Sequence, residues 1–321
     1  MLPFAVYAVA ASAAGYWNPI PQPGEQGYRS EPQNCLRVLF ENDSPSARDC
    51  NYTHGTRIDY ARTMANGHAW GLSLVQNMYT PETHRPHAVP GEHPYCGYLA
   101  VGAGFLHRGE RFGWAGEFQV GTTGNPSCAG RFQNTLHDAF RMTTWDGWDD
   151  QIPSEVTLQL TLRQEWLLPG LQRSLANGWQ VESRAILREA GGTVRMAGGG
   201  GVALRVGHNL PPSQATSGNS PASFGLGVLH KPDYKPAEMS YFFALEAYAD
   251  YVARDISVDG GVFHHFDRTC SRTPWQAELR AGAGARYAGI DYYMGVLVLS
   301  RTYRTQDKNS LLGTFSVSWN W

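Results

Sequence analysis

Hydrophobic and polar positions alternate along most of this chain. In Val156–Trp166, Val156, Leu158, Leu160, Leu162 and Trp166 fall on one face, and Thr157, Gln159, Thr161, Arg163 and Glu165 on the other. Phe112–Val120 repeats the pattern with Phe112, Trp114, Phe118 and Val120. The last run sets Phe315, Val317, Trp319 and Trp321 against Thr314, Ser316, Ser318 and Asn320, so the sequence stops on an aromatic. Applied throughout, the pattern predicts strands at 35–43, 53–63, 68–77, 96–107, 111–121, 155–167, 177–188, 196–207, 239–253, 275–287, 290–300 and 311–321.

Such alternation suits a soluble sandwich or a barrel with lipid outside and a polar lumen. Three features select the barrel. The segments run to about ten residues or more. Arg163, Glu165, Glu246 and Glu278 sit within long strands. Connections also alternate in length: 64–67, 108–110 and 288–289 are short, whereas 44–52, 78–95, 122–154 and 254–274 are long. Short inner turns and long outer loops mark outer-membrane barrels. The expected fold is all-β, a transmembrane antiparallel up-and-down β-barrel of about 12 strands with a short helix in the third outer loop. The Pro/Gly/Ser-rich stretch 208–238 falls on the inner side by this count, where it could hide a further hairpin.

Composition agrees. Glycine (36), tyrosine (16) and tryptophan (10) are abundant and charged residues make up only 17%, which favours an all-β chain rich in turns. A net charge of −2 offers no basic field for nucleic acid. The apolar start, with Ala11-Ser12-Ala13 as a cleavage-like site, reads as a signal peptide lacking its usual basic residue. The expected organisation is a leader-like segment at 1–14, a linker at 15–34 and a barrel at 35–321. Cys35, Cys50, Cys96, Cys128 and Cys270 show no zinc spacing. In an exported protein they allow one or two disulfides, leaving at least one cysteine unpaired or paired between chains.

Polar residues concentrate where the first strand ends and the second begins: Glu41-Asn42-Asp43, then Asn51-Tyr52-Thr53-His54-Gly55. Taken alone, this is Asx-turn chemistry. Two later loops share the same rim. One ends in Pro94-Tyr95-Cys96-Gly97. The other holds Arg131–Arg141, with apolar Phe132, Leu136, Ala139 and Phe140 at helical spacing, which sets Gln133 and His137 one turn apart on one face. Ester hydrolysis needs a base for water, which neutral histidine supplies near pH 7. It also needs a cation or fixed donors for the oxyanion.

With these pieces together, the chain resembles the outer-membrane lipid A 3-O-deacylase family. The matching motifs are Glu41-Asn42-Asp43, Asn51-Tyr52-Thr53-x-Gly55, Pro94-Tyr95-x-Gly97, Gln133-Asn134-x-x-His137, Gly147-Trp148-Asp149-x-Gln151 and Val252–Gly260, in family order. The resemblance implies a monomeric twelve-stranded barrel in the outer membrane of a Gram-negative cell, with a site between the wall and the third-loop helix, facing the outer leaflet. It implies calcium-dependent removal of the ester-linked 3′-acyloxyacyl group from lipid A of lipopolysaccharide. His137 matches the general base. Asn42, Asp43 and Thr53 match the polar residues around base, ion and oxyanion, with Asp43 and Asn42 holding the metal. Arg85, His54 and Trp145 are expected against the substrate. The chain departs from the family by placing His54 after Thr53, by having Cys96 within Pro-Tyr-x-Gly, and by lacking an acid near Thr143, which leaves Asp146 or Asp149 to supply it. The alternatives are an outer-membrane phospholipase-type esterase and a non-catalytic porin- or adhesin-like barrel. Neither His-x-Ser nor Gly-x-Ser-x-Gly occurs, which counts against a serine hydrolase.

Overall fold

The structure, a computed structural model, describes residues 34–321 apart from 47, 65–67, 88, 213–223, 230, 232–233, 236 and 268. The leader-like segment and nearly all of the linker lie outside the described residues. Twelve long strands follow one another: β1 (Asn34–Asn42), β2 (Asn51–Thr63), β3 (Ala69–Thr80), β4 (Cys96–His107), β5 (Phe112–Thr123), β6 (Val156–Leu167), β7 (Trp179–Gly192), β8 (Arg195–His208), β9 (Ser240–Asp255), β10 (Trp275–Tyr287), β11 (Ile290–Leu299) and β12 (Ser310–Asn320). Each pairs antiparallel with its sequence neighbours, and β1 pairs with β12 from Cys35↔Asn320 to Asn42↔Gly313, which closes the barrel. The barrel thus begins one residue before the expected start, and all twelve expected strands are present. A two-residue ladder, Arg173–Ser174 against Gln180–Val181, decorates the turn before β7.

The alternation resolves as lipid outside, polar inside. Val38, Phe40, Ile58, Leu72, Leu74, Leu158 and Leu160 are exposed on the outer wall, while Arg37, Asp59, Arg57, Glu117, Arg163 and Glu165 are buried in the lumen. The lumen side chains form ion pairs: Arg57 Nη2 lies 2.9 Å from Glu117, Arg163 Nε 2.8 Å from Glu165, and Arg188 Nη2 2.6 Å from Asp250. Buried ion pairs add little net stability. Here they fill the tube.

The 208–238 stretch hides no strand among its described residues. Phe224 instead enters the inner mouth and packs with Ala61, Ala69, Leu106, Ala115 and Val228. A Cβ on Gly71 would stand 2.4 Å from the Phe224 ring, and one on Gly113 1.9 Å from the Val228 carbonyl, so glycine at these two positions makes room for the segment. Arg108 Nε donates to the Gly227 carbonyl at 2.8 Å, fixing the cap.

At the other end the loops are long, apart from the two-residue β7–β8 connection. The third outer loop carries helix α1 (Ala129–Ala139), as expected from its spacing. The fifth opens with a one-turn helix, α2 (Ile256–Asp259).

Candidate active site

The first outer loop builds half of the site. The Asn42 side-chain oxygen accepts from the Ser44 amide at 2.8 Å, an Asx-turn, and its amide donates to the Thr53 carbonyl at 3.2 Å. Asp43 then closes its own loop. Its carbonyl accepts from the Ser46 hydroxyl at 2.7 Å, and its Oδ2 accepts from the Cys50 amide at 2.7 Å. The short closure sends Asp49 through a left-handed conformation, φ 51°, which aspartate tolerates better than most residues. The Thr80 hydroxyl donates to the Asp49 carbonyl at 2.7 Å, and the Thr53 and Thr80 hydroxyls are 2.6 Å apart. Because the Thr80 proton is committed to Asp49, Thr53 donates to Thr80. Its oxygen is left with lone pairs rather than a proton to offer.

Helix α1 supplies the other half. It lies across the outer wall at the rim, and Gly97 lets it approach: a Cβ there would stand 2.1 Å from Ser127 Oγ and 2.5 Å from Ala129 Cβ. Gln133 Nε2 donates to Asp49 Oδ1 at 3.0 Å, while Gln133 Oε1 accepts from Trp148 Nε1 at 2.8 Å. Asn134 clasps Trp145 through both backbone groups at 3.0 Å, and Trp145 Nε1 donates to Asp49 Oδ2 at 2.6 Å. His84 stacks on Trp145 with ring centroids 4.0 Å apart, and it donates to the Asp49 carbonyl.

His137 sits at the centre. Its Nδ1 lies 2.5 Å from the Thr143 carbonyl, which can only accept, so Nδ1 carries the proton in the neutral ring. The Nε2 lone pair then faces the site, 3.5 Å from Asp49 Oδ2. Burial pushes the Asp43 carboxyl up to about 7, and the Asp49 charge adds to this. Among the described residues, no cationic side chain lies within ion-pair distance of Asp43.

A family model described as outer membrane protein LpxR matches residues 2–321. The chain belongs to the LpxR family. It is an integral outer-membrane β-barrel. No curated protein matches its sequence. Among solved structures, LpxR from Salmonella typhimurium superposes with a TM-score of 0.77 at 16% identity, covering 89% of this chain and 100% of that one. Identity this low speaks for the shared fold alone. The β domain of the Bordetella autotransporter BrkA gives a TM-score of 0.45 at 12% identity, over 91% of this chain and 99% of its own. The NanC porin gives 0.39 at 8%, over 90% and 100%. Both lie too far from this chain to bear on its site.

In this LpxR-family chain the expected residues separate into groups. His137, Trp145 and the Asp43 loop meet around Asp49. His54 lies on the other lip, buried on the outer wall, its ring 4.5 Å from that of Phe40 and 5.6 Å from that of Phe132. Arg85 is exposed at the edge, its carbonyl near Gly147. Asp146 and Asp149, the expected sources of a carboxylate, are both exposed; the carboxylate that faces His137 comes from Asp49. Sequence reasoning passed over Asp49 because only the distant Gln133 and Trp145 reveal its role. The Val252–Gly260 motif holds the fifth loop: Asp255 accepts from the Ser257 amide at 3.1 Å, and Arg272 pairs with Asp259 at 2.6 Å. The five cysteines are free thiols.

Among the described residues, no group of three or more His, Cys, Asp or Glu side chains is arranged to hold a metal. A calcium site here would draw on fewer side chains and on hydroxyl, carbonyl and water oxygens, as hard cations do. The donor set fits that chemistry. Asp43 is a buried carboxyl with no cationic side chain within ion-pair distance among the described residues, and Thr53 offers oxygen lone pairs. A cavity of about 170 Å³ beneath the outer loops, bordered by Arg188, Arg195 and Asp250, is separate: neither His137, Asp43 nor Asp49 lines it.

Proposed function

We propose that this chain is a lipid A deacylase that hydrolyses the ester-linked 3′-acyloxyacyl group at the outer leaflet. The observation that carries this reading is His137. Its Nδ1 proton is held by a carbonyl, and its Nε2 is presented beside a carboxylate at a lipid-facing rim. In the proposed reaction, Nε2 takes a proton from a water molecule as the water attacks the ester carbonyl. Asp49 stabilises the imidazolium that forms, and Gln133 and Trp145 hold Asp49 in place. His137 then returns the proton to the departing sugar alkoxide, releasing the fatty acid. Asp43, with Thr53 beside it, would hold a calcium ion; Asn42, whose side-chain oxygen accepts from Ser44, would release Ser44 to join it. Bound there, calcium supplies Lewis-acid stabilisation of the oxyanion. Arg85, His54 and Trp145 would border the substrate, and the exposed Arg85 would be available to a phosphate.

Removing the base should cost roughly 10²–10⁴-fold in rate. His137→Gln, purified as a folded barrel, is expected to lose at least a hundredfold of its lipid A hydrolysis. A rate within threefold of wild type would remove His137 from the role of base.

A further inference from the structure

Helix α1 leaves much of its apolar stripe uncovered, beside the face that packs on the barrel. An amphipathic helix normally buries its apolar stripe. Here the residues buried against the barrel are Ala129, Gln133 and His137. Phe132 is 37% exposed, and Phe140, just past the last turn, is 73% exposed; Leu136 between them is half-buried. Met142, just beyond the helix end, is also exposed, at 55%. Residues 132, 136 and 140 recur every fourth position, so they form one ridge about 12 Å long. An outward apolar ridge of this kind marks an interaction surface.

The ridge does not stand alone. Phe132 packs on the His54 ring, and His54 packs on Phe40. Phe40 belongs to the exposed apolar wall that continues down through Val38 and, on the next strand, Ile58. The apolar surface of α1 is therefore continuous with the lipid-facing band of the barrel. Exposed Arg131 and Arg141 border the ridge at its two ends and suit anionic headgroups.

We infer that the Phe132–Leu136–Phe140 ridge of α1, with Met142, docks the acyl chains of lipid A and lays the scissile ester beside His137. The inference rests on the deacylase reading for the identity of the lipid, but the contact itself can be measured without turnover. The helix would lie at the membrane surface, with its ridge among the acyl chains and Thr135 and Asp138 toward the headgroups. His54, closed between Phe40 and Phe132, would form the floor where the chain passes from wall to helix.

The test is site-specific photocrosslinking. Phe140→p-benzoylphenylalanine and the control Thr135→p-benzoylphenylalanine are reconstituted in vesicles of phospholipid with lipid A, and folding is verified by heat-modifiable gel migration. The expected result is a lipid A adduct from position 140, with attachment on an acyl chain, at least fivefold more abundant than from position 135. Equal yields at the two positions would overturn the inference. So would adducts confined to sugar, or to phospholipid with lipid A present. Acyl adducts together with no hydrolysis by the wild-type protein would leave the docking surface standing and refute the deacylase reading. Hydrolysis without acyl adducts would do the reverse.

Discussion

In the proposed catalytic centre, the residue with a displaced protonation equilibrium is Asp43. The Asp43 carboxyl is held at about 7, above its ordinary value of 3.8, chiefly by burial and then by the charge on Asp49. A raised carboxyl pKa means the folded state binds the proton more tightly than the unfolded state. The associated stability is full below pH 3.8 and is lost as pH rises through about 7. The shift corresponds to roughly 4 kcal/mol at neutral pH. With a chelator present, the wild-type protein should therefore melt at a lower temperature at pH 8 than at pH 5, and Asp43→Asn should abolish most of that slope. Added calcium should restore the melting temperature of the wild type at pH 8 but not that of the variant. Parallel pH profiles for the two proteins would show that Asp43 carries no such strain. At this scale the sequence was legible only in part. His137, Asp43 and Trp145 could be named, yet Asp49 gains its place from a left-handed turn and from partners 84 and 96 residues away.

Among the elements, strands were legible because alternation with a period of two shows directly in the sequence, and β6 follows it through Arg163. The helix was legible as a helix, and the shared face of Gln133 and His137 is present. Its orientation was not legible from periodicity, because periodicity finds an apolar stripe without saying whether protein or lipid covers it. What seats α1 is Gly97, together with the Gln76 side chain donating to the Ser127 carbonyl at 2.7 Å. Gly97→Val places a methyl-bearing carbon where the helix start lies, an overpacking that costs about 1–3 kcal/mol. The variant is expected to insert and run as a folded barrel while hydrolysis falls about tenfold or more. Full activity in Gly97→Val would mean that the seating of α1 is not what presents His137.

For the whole molecule, the same closed wall presents an outer apolar surface and a lumen crowded with ion pairs. Arg57, Arg163, Arg184 and Arg280 fill the lumen with their carboxylate partners, and Phe224 closes the inner mouth. The sequence signalled a barrel but not this cap, since the aromatic that plugs the tube lies in a Pro/Gly/Ser-rich stretch with no period. Reconstituted in a planar bilayer, the protein should give no unitary conductance steps; regular porin-like steps would mean that the cap and ion pairs leave a path. The proposed activity lies at the rim, where wall and helix meet the outer leaflet. The most direct measurement is mass spectrometry of lipid A after incubation with the detergent-purified protein, with calcium and with chelator in parallel. Loss of one 3′-linked acyloxyacyl group is expected in the calcium sample alone. Intact lipid A in both samples, from protein that still migrates as a folded barrel, would contradict it.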